Sequence, residues 1–227
     1  MGALSGSGSV RWVSQTKILA TMGLGEHQEL LAVTLPSFER YAARHGYEVR
    51  IPESDPAPER KFKQWSKIAF INQLLPTCDL LFWVDSDAAI LDDSVDIGTT
   101  LPARHFLGLV EHHYDGLSVP NTGVMIIRGG RKGRRFFKEM WNHTEYLETK
   151  WFDNAAALDM LGYEFDSEAT QKYCRPGKPT PWSRRTQLIP NEWNSLPQDM
   201  ANSPRILHVT RAFPFEERLE RLRAALS

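Results

Sequence analysis

Two acids one residue apart, Asp85-Ser86-Asp87, follow directly on Leu80-Leu-Phe-Trp-Val84, a run that is apolar at every position. Strands of that kind are buried on both faces, as in parallel sheets covered by helices. In open sheets of this class ligands bind beyond the C-terminal ends of the strands. Two carboxylates placed there lose hydration and repel each other unless a cation sits between them. Hard oxygen ligands of this sort suit Mg²⁺ or Mn²⁺, held by one or two carboxylates together with substrate phosphates. The plainer alternative is a strand end with two solvated acids capping the next turn. If the pair serves a ligand, Asp85→Asn and Asp87→Asn are each expected to leave stability equal or higher, because the mutual repulsion goes.

Other site patterns are missing. There is no G-x-x-x-x-G-K-[ST] phosphate loop, and Gly23-x-Gly25 lacks the third glycine of a dinucleotide fingerprint. Haloacid-dehalogenase phosphatases also carry D-x-D after a strand, but near the N-terminus and followed by Thr or Val, whereas here Ala88-Ala89 follows a third strand. No Ser-His-acid triad is defensible from order or spacing.

The elements that must position the acids follow from periodicity. Residues 17–22 read as a short buried strand ending at a Gly loop, followed by a helix from His27 to His45. Leu31, Leu35, Phe38 and Ala42 repeat at helical spacing, Pro36 predicts a kink, and Gly46 a stop. Tyr47–Ile51 reads as a second strand, and Lys61–Leu75 as a helix carrying Phe62, Trp65 and Ala69 on one stripe and ended by Pro76. Strand, helix, strand, helix, strand is α/β alternation. Further strands are expected at 106–110, 123–127 and 205–209, and helices at 134–147, 154–161 and 215–226. Residues 174–204, with six prolines from Pro176 to Pro204, should be ordered but irregular.

The 227 residues carry 27 Lys+Arg against 28 Asp+Glu, a net charge of −1, with 41% hydrophobic and 24% charged residues. That is globular composition without the basic excess of a nucleic-acid binder. Cys78 and Cys174 make neither a disulfide framework nor a zinc finger. No run of 18 apolar residues exists, and the start lacks the parts of a signal peptide. A cytoplasmic protein is expected, with a Golgi lumen location only if the chain is a truncated piece. Residues 1–9, small and polar, read as a flexible linker, and 10–227 as a single domain.

Several short pieces in one order resemble a known family. They are Tyr41-x-x-x-His45-Gly-Tyr47, Trp65-Ser-Lys67-Ile, Phe82-Trp-Val-Asp85-Ser-Asp87-Ala and Asn121-Thr-Gly123-Val-Met-Ile-Ile-Arg128, then Trp151-Phe-Asp153-Asn154, Pro190-Asn-Glu-Trp-Asn194 and Ile206-Leu-His208. The set resembles the GT-A glycosyltransferases, and among them the galactosyl/mannosyl/xylosyltransferase family 34. It departs from that pattern at Asp153-Asn154, where an acid followed by Gln is usual, and at Val209-Thr-Arg211, where Phe-x-Gly-Cys is usual.

The resemblance implies a single Rossmann-like GT-A domain of α/β class, with a mainly parallel central sheet flanked by helices. It implies a retaining enzyme that moves a hexosyl or pentosyl group from a UDP- or GDP-linked sugar to an acceptor hydroxyl of a glycan or small molecule, forming an α bond. It places Asp85 and Asp87 in the metal and diphosphate site with His208 as third protein ligand. An imidazole beside carboxylates tilts the metal towards Mn²⁺, with Mg²⁺ possible. Asn121-Thr122-Gly123 would face the donor and acceptor sugars.

Other residues carry two readings each. Asp153 and Asn154 open a helix, so Asp153 is either its N-cap or, with Asn154, a group beside the oxocarbenium-like sugar. Backbone N–H groups of the loop from Thr21 through Gly23 to Glu26 can meet a nucleotide, with Thr21 or Glu26 on base or ribose; the alternative is a plain turn. Lys67 reaches the diphosphate or is a solvated helix lysine, and Arg211 can add charge to that diphosphate. Trp65 is expected in the core. Glu111-His112-His113 is not expected to ligate one ion, because successive strand residues point to opposite faces. Arg128, Arg131, Lys132, Arg134 and Arg135 read as a solvated basic face, and Asn142-His-Thr144 as a chance sequon inside a helix. The rival functions are another metal-dependent enzyme on nucleotides or phosphate esters, and a non-catalytic sugar-binding relative.

Overall fold

The computed structural model describes residues 15–60, 63–166 and 173–227. The expected linker, and Lys61 and Phe62 of the expected second helix, lie outside the described residues. The first half alternates as expected: β1 (Lys17–Ala20), α1 (His27–His45), β2 (Glu48–Arg50), α2 (Gln64–Leu74) and β3 (Leu80–Val84). Gly46, at φ 71°, closes α1 in a left-handed conformation that suits glycine, and α1 runs unbroken through Pro36. Then come β4 (Ala88–Ile90), β5 (Leu107–Tyr114), β6 (Leu117–Arg128), α3 (Arg131–Trp141) and α4 (Phe152–Leu161). The last third holds β7 (Tyr163–Phe165), β8 (Cys174–Pro176), β9 (Thr186–Ile189), β10 (Ile206–His208) and α5 (Phe215–Leu226).

Six strands form the central sheet in the order β2-β1-β3-β6-β5-β9. β1 is parallel to β2 and β3, and β5 to β9; β6 alone runs against both its neighbours. The sheet is therefore mainly parallel. Its two faces alternate as pleating requires. Leu81 and Trp83 of β3 join Trp65, Ile68, Phe136 and Phe137 on the α2–α3 side, whereas Leu80, Phe82 and Val84 join Phe38 and Tyr41 of α1. Trp65 is fully buried, as expected of a core residue.

Several elements differ from the expectation. β5 and β6 extend past 106–110 and 123–127 to form a hairpin, whose turn residues Asp115 and Gly116 both have positive φ, 51° and 74°. Asp-Gly is the residue pair such a two-residue turn demands. The stretch 174–204 contains β8 and β9 rather than irregular chain alone. α3 ends at Trp141, so Asn142-His143-Thr144 follows the helix instead of lying inside it. Arg131, Lys132, Arg134 and Arg135 do sit on its exposed side, but Arg128 donates to the carbonyls of His105 and Leu101.

The lower end of the sheet is held by a carboxylate. Asp96 accepts from Lys17 Nζ at 2.8 Å, Tyr47 Oη at 2.7 Å and the Gly98 N–H at 2.8 Å. Burial pushes its pKa up, but these donors outweigh that and hold it below the ordinary value. A depressed carboxyl contributes stability above the unfolded pKa of about 4, and that stability is lost as pH falls through the folded value. Asp96→Ala is expected to cost about 2–3 kcal/mol at pH 7, with the gap to wild type closing below pH about 4. Denaturant unfolding across pH checks both.

Candidate active site

The site gathers at the C-terminal edge of β1 and β3 because three local features converge there. The first is the end of β3, where the Asp85 N–H donates to the Gly123 carbonyl at 2.8 Å and the chain turns into β4. The second is a pairing: β10 runs antiparallel to β4 with His208 opposite Ala88, and the Val209 N–H donates to the Asp87 carbonyl at 2.9 Å. That register brings His208 to Asp87 from 121 positions away in the chain. The third is an irregularity in β6. Leu109 of β5 pairs with Met125, but Val110 pairs with Asn121, so Thr122, Gly123 and Val124 have no partners on β5. Bulges of this kind re-aim side chains beside active sites.

Ligand atoms of Asp85, Asp87 and His208 all lie within 4.8 Å of one another. His208 Nε2 is 3.2 Å from Asp87 Oδ1. The other Asp87 oxygen accepts from Arg218 of α5 at 2.7 Å, and Arg218 also donates to the Val209 carbonyl. Burial works to raise the Asp87 pKa, but His208 and Arg218 outweigh it and hold the carboxyl far below the usual range. Asp85 behaves oppositely: burial pushes its carboxyl above the ordinary value, Lys67 resists, and Asp87 adds to the rise. Asp85 Oδ1 accepts from the Trp83 indole at 2.6 Å and lies 3.3 Å from Lys67 Nζ.

Lys67 is buried, not solvated. Its ammonium lies 2.9 Å from Asp153 Oδ2 and donates to the Thr122 carbonyl at 3.1 Å. Burial opposes its charge, but Asp153 and Asp85 outweigh that and raise its pKa. Asp153 is not the N-cap of α4: it sits inside the first turn, and its Oδ2 accepts from Thr122 Oγ1 at 3.0 Å. Asn154 Oδ1 accepts the Thr122 N–H at 2.9 Å, so both residues grip the irregular part of β6. Phe152, just before them, has φ 43°, a strained conformation for a bulky residue. Asn121 Oδ1 accepts the Gly123 N–H. Gly123 has no room for a side chain: a Cβ there would lie 2.2 Å from His208 Cε1.

The loop after β1 divides. Thr21 is fully buried, and its hydroxyl has no hydrogen-bond partner among the described residues. A Cβ on Gly23 would lie 2.6 Å from the His27 carbonyl, so that glycine lets the loop close on α1. Glu26 is exposed and makes no capping bond. Ser86 is buried, its hydroxyl 3.3 Å from His27 Nδ1 and its carbonyl bonded to Thr34. Arg211 is exposed; it donates to the Lys150 carbonyl and stacks 4.6 Å from the Phe152 ring. Glu111-His112-His113 is not one ligand set: His112 pairs with Asp199 at 2.9 Å, whereas Glu111 bonds Tyr163 and His113.

Sequence reasoning missed Arg218, His27 and Trp83. Only Arg218 left a clear signal, as a charged residue one position before Leu219 and four before Leu222, on the stripe α5 buries.

The opposite environments of the two acids replace the expectation that losing either would leave stability equal or higher. Asp87→Asn leaves Arg218 buried against a neutral group, a defect worth about 3–5 kcal/mol. Asp85→Asn relieves a carboxylate that burial and Asp87 disfavour, and should raise stability or leave it unchanged. In metal-free thermal melts at pH 7, Asp87→Asn is expected to lower the midpoint and Asp85→Asn to leave it equal or higher.

The model of the galactosyl transferase GMA12/MNN10 family matches residues 25–107. No curated protein matches the chain. Among solved structures, a glycosyltransferase involved in glycosylation of the major capsid of PBCV-1 superposes with TM-score 0.64 at 15% identity, covering 91% of this chain and 98% of that one. The galactosyltransferase LgtC, in complex with donor and acceptor sugar analogs, gives 0.57 at 12% identity over 93% and 96%. The glycosyltransferase GlyE of Streptococcus pneumoniae TIGR4 gives 0.58 at 12% identity over 91% and 63%. The family match, which contains both acids, and the shared architecture support a sugar-transferring enzyme. The chain thus has the GT-A glycosyltransferase fold and resembles, over residues 25–107, the galactosyl transferase GMA12/MNN10 family.

Proposed function

We propose that the chain is a metal-dependent, retaining glycosyltransferase. It would take a sugar from a UDP- or GDP-linked donor and attach it through an α bond to a hydroxyl of a glycan or small-molecule acceptor. The observation that carries this reading is the convergence of Asp85, Asp87 and His208, from β3 and β10, within 4.8 Å at the sheet edge. Two carboxylates and one imidazole fit a divalent cation, and the nitrogen donor favours Mn²⁺ over Mg²⁺. When bound, the ion supplies Lewis-acid stabilisation to the departing diphosphate.

The remaining roles follow from what each side chain already does. Thr21, with a buried hydroxyl that has no partner among the described residues, is suited to accept or donate a bond to the nucleotide. Ser86 and the N-terminal turn of α1 border the same place, and Gly23 lets that turn come close. Lys67 places a positive charge against Asp85 and Asp153 and adds positive charge near the diphosphate. Asp153 Oδ2 is committed to Lys67 and Thr122, which leaves Oδ1 to face the positive charge that develops on the sugar. Asn154 spends its oxygen on Thr122, which leaves its amide N–H groups for a sugar hydroxyl. Asn121, Thr122 and Gly123 form the floor on which donor and acceptor meet. Glu26 and Arg211 lie at the rim and would act on the nucleotide only from solvent.

The direct test is incubation with a panel of UDP- and GDP-sugars. Turnover is expected with Mn²⁺, at least as fast as with Mg²⁺, and none in EDTA, with the product's anomeric coupling constant reporting an α bond. Full activity in chelator, or release of inorganic phosphate from a monoester, would remove this reading.

Asp153 offers a second test. Asp153→Asn retains shape and hydrogen bonds but removes the charge beside the sugar. It is expected to lower kcat by about 100-fold or more with the Kd for nucleoside diphosphate nearly unchanged. Steady-state kinetics beside calorimetric titration separate that from a loss of binding or of fold.

A further inference from the structure

We infer that Asn194 is a positioning residue for the metal site. It dictates which nitrogen of His208 carries the proton, and so turns the Nε2 lone pair towards Asp87. The inference rests on the metal-dependent reading of the site given above.

The polarity of this network is set by a backbone group. The Gly123 N–H can only donate, and it donates to Asn121 Oδ1 at 2.8 Å. The Asn194 side chain meets the same oxygen at 2.9 Å, so it must present its amide nitrogen there. Its oxygen is thereby turned to His208, 2.9 Å from Nδ1. An amide oxygen only accepts, so Nδ1 bears a hydrogen. In the neutral ring Nε2 then holds a lone pair, and Nε2 is the atom 3.2 Å from Asp87 Oδ1. A lone pair and a carboxylate at that separation repel unless a positive charge lies between them. That is the arrangement a metal ligand needs, with the non-ligating nitrogen donating to a fixed oxygen.

Left to itself the pair would settle differently. A carboxylate is a stronger acceptor than an amide, so Asp87 would draw the proton to Nε2 and hide the lone pair. Asn194 works against that, and the fold holds it firmly. It is fully buried, between the buried Trp193 and Ser195. The Ser195 N–H donates to Ile206 and the Ser195 carbonyl accepts from the His208 N–H, at 2.8 and 2.9 Å. Gly123 matters twice: its N–H starts the network, and its missing side chain leaves the space the ring fills.

The experiment measures metal binding without donor or turnover. Calorimetric titration with MnCl₂ is compared for wild type, Asn194→Leu, Asn194→Asp and His208→Ala, each with a melting curve. Asn194→Leu is expected to weaken Mn²⁺ about 10- to 100-fold. Asn194→Asp, which still accepts from Nδ1, is expected to lose clearly less. Equal loss in both variants at wild-type melting temperatures, or no loss in Asn194→Leu, would overturn the inference while His208→Ala still weakens Mn²⁺. Unchanged Mn²⁺ affinity in His208→Ala would instead overturn the metal reading itself. A long-range ¹H–¹⁵N correlation spectrum of the metal-free wild type, with His208 assigned from His208→Ala, needs no folded Asn194 variant. Recorded at a pH where the ring is neutral, the spectrum is expected to show a proton on Nδ1 and a bare Nε2, and a bare Nδ1 with protonated Nε2 would overturn the inference.

Discussion

The acidic edge of the sheet depends on the ammonium group of Lys67, which lies 2.9 Å from Asp153 and 3.3 Å from Asp85 inside the protein. Carboxylates in a poorly hydrated place need compensating charge, or they take up protons and lose their function. Lys67 supplies that charge from α2, the element that packs on the sheet face below the site. It also bonds the Thr122 carbonyl, so the same group that balances charge anchors the irregular part of β6. On the other side, Arg218 does the equivalent for Asp87. The two acids of the Asp85-Ser86-Asp87 motif are thus held by cations from opposite faces of the sheet. Their pKa values nonetheless move in opposite directions, because burial outweighs Lys67 at Asp85 whereas His208 and Arg218 outweigh burial at Asp87.

Rigid positioning follows from backbone pairing more than from side chains. The β4–β10 pairing delivers His208, the break in pairing between β5 and β6 delivers Thr122 and Gly123, and the first turn of α4 delivers Asp153 and Asn154. Each of these segments is tied to another by a bond that uses a main-chain group: Asp85 N–H to Gly123, Val209 N–H to Asp87, Thr122 N–H to Asn154. Small displacements in one segment must therefore move the others. The strained Phe152 at φ 43° and the contact of Arg211 with its ring sit where α4 meets the chain that follows His208. Strain of this sort persists only where the surroundings over-determine it.

Sequence reading carried far in the first half of the chain. An unbroken apolar run at Leu80–Val84 can satisfy itself only inside a sheet covered on both faces, so the position of Asp85 and Asp87 at a strand end followed from composition alone. The α1 limits followed from spacing and from Gly46, because local steric preferences decide where a helix of that length stops. The second half was less legible. Asp115-Gly116 is the local mark of the β5–β6 hairpin, whereas the proline-rich stretch 174–204 shows no period over β8 and β9. Those strands are short and both lie at sheet edges, so their pairing is decided by distant partners rather than by a period in their own residues.

Local sequence suffices for the α/β alternation and for the strand end that bears the two acids. Tertiary structure alone decided how those residues are charged and which way they face. Whether Asp153 caps a helix or binds Lys67, and whether Lys67 is solvated or buried, depends on separations in space between residues far apart in the chain. Arg218 reaches Asp87 across 131 positions, and no local pattern encodes that contact. Electrostatic energy falls with distance and rises as water is excluded, so roles that rest on charge appear only once packing has set both.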